Sequence, residues 1–481
     1  MSEPADVYEP GASIGAPNQT PAIALYASGD RQHRNLDYHI KLDAYSRQRI
    51  KECLQVGKLS ALDDAVRDIK GVIGVGSKNN DALRFIVSNL FVAWCTIGNP
   101  FVAVPMGKAS YAKGERLHEL KLKYQQVHEI VSALKKHEYI ELHNGYFDAK
   151  KGCGKCTRIR AAWRLTGAFI KYALNIKTFK KDAPLVVLKD QHKKRINITR
   201  GRLAAEAKRF HPALISINEM LRGAEIQLRL SEDEFIQNFV IAREGKKEPC
   251  TPPNPCAIAY KRSFNVDYQH GGRFYGPWWQ GIPSDLRKRI TINGFPVVEL
   301  DYKSLHPRLL YLSEGIQLSE DPYTIQPYGP PYRRLFKLML NSGINAADAE
   351  GVRQAVRNGI RKDSALYADF SECMRDEWLK PAWAAMCKKH EPIARHLGTG
   401  AGLKLQRLDS DMAEHVMVSL KGQGIPVLGI HDSLIVPNIY EHELEMAMLE
   451  AARVIAGGVI PVENKMPENS QFGARFLRNS A

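Results

Sequence analysis

Two apolar, β-branched runs that each end in an aspartate constrain the fold of this chain most. In Pro296-Val-Val-Glu-Leu-Asp301, alternation puts Val298 and Leu300 on one side of a strand and Val297, Glu299 and Asp301 on the other. In Gly424-Ile-Pro-Val-Leu-Gly-Ile-His431-Asp432-Ser-Leu-Ile-Val-Pro437, Asp432 falls where one apolar run meets another, as at the tip of a hairpin. An aspartate at a strand end is by default a turn former, so neither residue says much alone. Together they predict neighbouring strands that deliver two carboxylates to one place.

Such a pair can hold two Mg²⁺ ions ~3.5–4 Å apart, the arrangement used for in-line phosphoryl transfer. Mg²⁺ suits it because it prefers hard oxygen donors and keeps waters that substrate phosphates replace. Between the two runs, Arg333, Lys337 and Asn341 share one helical face, while Leu335, Leu338 and Met339 line another. An Arg-Lys face is often only solvated, but it can also grip a triphosphate through charge-assisted bonds.

The first run resembles motif A, and the second motif C, of the family A DNA polymerases and the related phage single-subunit RNA polymerases. Gly272-Arg273-Phe-Tyr-Gly-Pro-Trp-Trp-Gln280-Gly-Ile-Pro283, followed by Arg287-Lys-Arg289, is similar to that family's approach to motif A. Arg333-Arg-Leu-Phe-Lys337-Leu-Met-Leu-Asn341-Ser-Gly343 resembles motif B, and Gln406-Arg-Leu-Asp-Ser-Asp411 the stretch before motif C. The elements occur in the family's order over residues 261–450. The resemblance implies that Asp301 and Asp432 are catalytic and bind two Mg²⁺ ions, with Mn²⁺ a substitute, and that the Tyr302 backbone carbonyl touches the second ion. It implies that Tyr302, His306, Arg333, Lys337 and Asn341 face the nucleotide. Arg273, Gln280, Gln406 and His431 would face primer and template. Trp278 and Trp279 read as packing residues rather than a base-stacking platform.

Departures from the family are informative. His306 stands where family A enzymes carry Glu, at a position that excludes the ribose 2′-hydroxyl, and its bulk favours dNTPs. Asp432-Ser433 looks more like the RNA polymerases than the usual Asp-Glu. Asn341 and Asn345 replace expected aromatic residues, and the short interval from Asp301 to Arg333 implies reduced fingers.

Composition agrees with a nucleic-acid partner: 68 Lys and Arg against 52 Asp and Glu give a formal net charge of +16. At 481 residues, two or three domains are expected. No apolar run approaches the ~18–20 residues that span a bilayer, and the N-terminus lacks signal-peptide character, so the expectation is a cytoplasmic protein with no membrane partner. Eight cysteines are scattered, with no disulfide framework. Cys153-Gly-Lys-Cys156 is half of a zinc motif without a convincing second half, unless Cys250 and Cys256 fold near it.

Residues 1–40 read as a flexible arm and 41–175 as a winged-helix-like DNA-binding domain. In the latter, Val127, Ile130, Val131 and Leu134 recur at helical spacing, with Gln125, Gln126, His128 and Glu129 outside. A strand from Tyr139, a hairpin signal at Asn144-Gly145 and a return strand from Arg158 follow, with a basic tip of Lys150, Lys151, Lys155 and Arg158. Residues 176–260 read as a connector or thumb-like region, with a strand after Pro184 and a basic helix from Arg202 to Arg222; residues 261–481 read as palm and fingers. No acidic proofreading site is evident.

The expected fold class is α/β (α+β): a polymerase palm with reduced fingers behind a mostly helical winged helix-turn-helix-like domain. The expected function is template-directed nucleotidyl transfer, a DNA-directed DNA polymerase of phage, plasmid or mobile-element type acting on DNA primer-template and dNTPs. An RNA polymerase or primase with the same palm, a non-catalytic initiator or repressor, and a two-metal nuclease share many of these residues.

Overall fold

The computed structural model describes residues 39–41, 45–47, 61–96, 99–113, 117, 121–148, 153–174, 179–181, 184–198, 200–240, 250 and 252–470. The architecture is mixed helix and sheet, in two compact units, residues 1–180 and 181–481.

In the first unit, strand β1 (His39–Lys41) pairs in parallel with β2 (Phe101–Ala103). Between them in sequence lie helices α1 (Ala61–Ile73) and α2 (Asn80–Cys95). The latter is buried at almost every position from Ala82 to Cys95, as an apolar run without a polar stripe requires. Helix α3 (Tyr124–Lys136) buries Val127, Ile130, Val131 and Leu134 at the anticipated spacing. Strands β3 (Ile140–His143), β4 (Tyr146–Asp148), β5 (Cys153–Lys155) and β6 (Arg158–Ala161) follow, then α4 (Trp163–Lys171). The sheet order is β1–β2–β6–β3, and β4 pairs β5 as a separate hairpin beyond Asn144-Gly145.

Three details differ from the sequence reading. Residues 39 and 40 lie in a strand rather than wholly in an arm. Arg158 is not at a basic tip: it pairs opposite His143 and is buried, its guanidinium 5.6 Å from the Phe101 ring. Lys150 and Lys151 fall outside the described residues. Gln126 and Glu129 are not free: Gln126 donates to the Lys78 carbonyl at 2.7 Å, and Glu129 accepts from Asn79 at 2.9 Å. The exposed face of α3 is therefore Gln125, His128, Ser132 and Lys135.

The second unit begins with β7 (Val186–Lys189), α5 (Gly201–Lys208) and α6 (His211–Gly223). The single basic helix expected from Arg202 to Arg222 is two helices, because Pro212 sits in the first turn of α6 and cannot extend the preceding hydrogen-bond ladder. Residues expected as connector thus enter the body of this unit. Strand β8 (Ile226–Leu228) is followed by β9 (Lys261–Asn265) and β10 (Asp267–Tyr275), and the sheet order β10–β9–β7 recruits β7 in parallel.

A six-stranded sheet carries the rest. Strands β11 (Ile290–Ile292) and β12 (Phe295–Tyr302) lead into α7 (Leu305–Ser313), α8 (Arg333–Asn345), α9 (Ala349–Lys362), α10 (Asp376–Lys389) and α11 (Gly402–Gly422). The chain returns through β13 (Leu428–Ile430), β14 (Ser433–Pro437), α12 (Glu441–Ala456) and β15 (Val462–Asn464). The order is β8–β11–β12–β14–β13, with β15 paired to the far end of β12. Val297 to Leu300 are all buried, so β12 is covered on both faces rather than one. Helix α11 packs along β10 and α12, burying Leu405, Met412, Val416 and Leu420. Among the described residues, no helix is long and apolar enough to cross a membrane.

Candidate functional site

The β13–β14 hairpin turns on His431 and Asp432, between the paired residues Ile430 and Ser433. A two-residue turn needs a positive φ, and His431 adopts 59° although it has a side chain. Such a left-handed residue costs about 1–2 kcal/mol, which the flanking ladder overrides. Ser433 pairs directly with Asp301 across the β12–β14 ladder, so Asp432, one residue earlier, stands beside Asp301. The two aspartates are brought together as the sequence predicts.

Asp301 is half-buried, and its Oδ1 has no hydrogen-bond partner. Burial, then the negative charge of Asp432, pushes its carboxyl up to about 6. Lys465 opposes this rise, with Nζ 3.3 Å from Asp301 Oδ2. A third carboxylate, Glu463 on β15, lies directly opposite Asp301 in the ladder and is ion-paired with the same Lys465. The hydrogen bond from Lys465, helped by the charges of Lys303 and Lys337, holds Glu463 below the usual carboxylate range.

Below this group, Ser433 Oγ donates to Glu299 Oε1 at 2.7 Å, and Arg287 pairs with the same oxygen at 3.0 Å. Glu299 is buried and belongs to the support of the hairpin. Tyr302 directs its hydroxyl away, donating to the Met448 carbonyl at 2.7 Å, which leaves its backbone as the part near Asp301.

A second cluster joins three elements. Asp409 on α11 is a fully buried carboxylate that accepts from Arg273 Nε of β10 at 3.1 Å and from His306 Nε2 of α7 at 2.9 Å. Gly272 precedes Arg273 at φ 87°, where a Cβ would stand 2.7 Å from the Phe264 ring, so only glycine fits there. Burial disfavours the Arg273 charge, and Asp409 more than offsets this, holding the guanidinium above its ordinary range. His431 lies near enough that burial, then Arg273, lowers its pKa. The His431 ring sits edge-on to Tyr275 at 5.4 Å.

Helix α8 exposes Arg333, Lys337 and Asn341 on one face and buries Leu335, Phe336, Met339 and Leu340. Arg333 pairs with Asp321 at 2.7 Å and lies 5.1 Å over the Tyr323 ring; Lys337 Nζ is 5.8 Å from that ring. The charges of both reach Glu463. The Asn341 carbonyl accepts from Asn345 at 2.8 Å.

Gln280 is held by backbone: its amide donates to the Phe274 carbonyl at 2.9 Å and the Gly429 carbonyl at 3.2 Å, and its oxygen accepts from Gly276 N at 3.1 Å. It ties β10 to the hairpin that carries Asp432. Gln406 is half-buried near the start of α11. Trp278 and Trp279 are buried, in agreement with packing.

Asp409, Glu463 and Lys465 were missed by sequence reasoning. Asp409 had a signal, since it falls in register with the buried Leu405, Met412 and Val416, an apolar face where a carboxylate needs a partner. Among the described residues, no group of three or more His, Cys, Asp or Glu side chains converges to hold a metal. For the CxxC, Cys156 is a half-buried free thiol, pushed up by burial.

No family model and no curated protein matches the chain. Among solved structures it is similar to one described as the POL domain of Pol1 from M. smegmatis in complex with DNA primer-template and dNTP. That match has 13% identity, a TM-score of 0.27, and covers 84% of this chain. The chain spans 65% of the length of that structure.

Proposed function

We propose that the chain is a template-directed nucleotidyltransferase, a DNA polymerase that extends a primer with dNTPs. The observation that carries this reading is the pairing of Asp301 with Ser433, which sets Asp301 and Asp432 side by side at the ends of adjacent strands. A cationic helix face lies within electrostatic reach of the neighbouring Glu463.

The residues fit a hard divalent cation, Mg²⁺ or Mn²⁺. Asp301 Oδ1 is a buried oxygen without a partner, two like charges adjoin, and an ammonium already stands on Asp301 Oδ2. Asp301 and Asp432 would hold the metal, with the Tyr302 carbonyl assisting. Bound there, it would stabilise the charge that develops on the transferred phosphoryl group and lower the pKa of the attacking hydroxyl.

The remaining work falls to the chain's own side chains. Lys337 and Arg333 bind the triphosphate and orient it for in-line attack. His306, fixed by Asp409, provides bulk against the sugar, and Arg273, with His431 beside it, contacts the primer terminus. In the first unit, the order α2–β2–α3–β3–β6 with strands arranged β2–β6–β3 supports a winged-helix reading of residues 41–175. The exposed Gln125, His128, Ser132 and Lys135 would then face DNA.

The test is nucleotide incorporation on a 5′-overhang duplex, comparing dNTPs with rNTPs, with and without primer. Primer-dependent dNTP extension is the expected result. Unprimed rNTP products would make the chain an RNA polymerase or primase, and strand cleavage a nuclease. Specific duplex binding without incorporation would make it an initiator.

A further inference from the structure

Lys465 stands where a cation would stand. Its ammonium lies 3.3 Å from Asp301 Oδ2 and is also ion-paired with Glu463, which faces Asp301 across the β12–β15 ladder. Residues directly opposed in an antiparallel ladder project to the same side, so Asp301 and Glu463 are a carboxylate pair with a monovalent cation bridging them. The backbone of Lys465 is fixed, its N–H donating to the Glu299 carbonyl at 2.8 Å. Its side chain is 42% exposed, so the four-carbon stem can swing into solvent with no movement of the sheet.

We propose that Lys465 is a built-in counterion that competes with a divalent cation for Asp301, and that its withdrawal frees Glu463 to join Asp301 and Asp432 as a third carboxylate. This rests on the metal-binding part of the function proposed above. Without a cation, Asp301 and Glu463 would repel each other across the ladder; the ammonium relieves that repulsion. A hard divalent cation carries twice its charge and accepts oxygens from several sides, so it displaces a half-exposed ion pair. Among the described residues, no three acidic side chains already converge to hold a metal. Withdrawal of the ammonium opens the space between Asp301 and Glu463.

The experiment is Mn²⁺ binding to the full chain without nucleotide, followed by electron paramagnetic resonance of the free ion and by calorimetry. Lys465→Met should tighten binding by about two- to fivefold, the worth of an exposed ion pair expressed as an affinity ratio. Lys465→Arg, which keeps the charge, should bind like the parent. Adding Glu463→Gln to Lys465→Met should weaken binding by about tenfold, as loss of a ligating or ligand-supporting carboxylate does. Thermal melts of each variant establish that it is folded. Equal affinity in the parent and Lys465→Met would overturn the proposal while leaving the polymerase reading intact. Absence of Mn²⁺ binding in every variant, with loss of incorporation in the parent, would overturn both.

Discussion

His306 and Asp409 are joined by a hydrogen bond of 2.9 Å from the imidazole Nε2 to a carboxylate that is wholly removed from solvent. The same carboxylate neutralises Arg273, so one buried charge fixes two residues that would face the sugar and the primer. Asp409→Ala would leave the half-buried Arg273 without its carboxylate, and should cost about 3 kcal/mol in chemical denaturation. Asp409→Asn should cost less, about 1–3 kcal/mol, because it still accepts one hydrogen bond. In the folded Asn variant, the preference for dNTPs over rNTPs should fall while primer extension persists, as measured by the ratio of kcat/KM values.

The raised carboxyl of Asp301 gives a pH dependence with a definite sign. Its pKa is about 6 in the folded chain against 3.8 for the free group, so the folded state binds the proton more tightly than the unfolded state. The resulting stability is complete below about pH 4 and is lost as pH rises through 6. Asp301→Asn, which cannot ionise, should equal the metal-free parent at pH 4 and exceed it by roughly 3 kcal/mol at pH 7. Denaturant midpoints across that window measure this directly. With metal present the dependence reverses, because only the ionised carboxylate binds it, and the Mg²⁺ concentration for half-maximal extension should fall as pH rises through 6.

Arg333 and Lys337 share a helical face but not a state. Arg333 is paired with Asp321, whereas Lys337 rests near the Tyr323 ring and extends its charge toward Glu463. Lys337→Ala should therefore lower kcat/KM for the nucleotide by about 10–100-fold, the loss of one charge-assisted contact. Arg333→Ala should cost less, and Asp321→Ala, which releases Arg333, should lower the nucleotide KM.

Tyr260 secures the base of the hairpin that carries Asp432. Its hydroxyl accepts from Trp279 Nε1 at 2.9 Å and from Gly429 N at 2.6 Å, and donates to the Gly429 carbonyl at 2.7 Å. Tyr260→Phe takes the acceptor from the Trp279 indole N–H and the Gly429 N–H, while the Gly429 carbonyl keeps Gln280, and should destabilise the chain by about 2–4 kcal/mol in denaturant titration.

Local signals carried much of the site into the sequence. Asp301 and Asp432 were legible because strand periodicity and a two-residue turn are short-range properties, and α8 because its apolar and cationic positions recur every helical turn. The break at Pro212 and the burial partner demanded by Asp409 were written in the sequence too, but one proline and one misplaced carboxylate are easily overlooked. Glu463 and Lys465 were invisible for another reason. They reach Asp301 only because β15 closes on β12, a long-range pairing with no local mark. The left-handed φ of His431 was hidden likewise, since the hairpin imposes it on a residue that does not prefer it.

The central claim is that Asp301 and Asp432 act as one unit in nucleotidyl transfer. It is tested most directly by the rate of single-nucleotide addition to a primed template in the parent, Asp301→Ala, Asp432→Ala and the double variant. Each single substitution should lower the rate by about a thousandfold or more and the double variant should be no worse, since residues acting together are non-additive. Extension at near-parental rate in either single variant, with the fold intact, would contradict it.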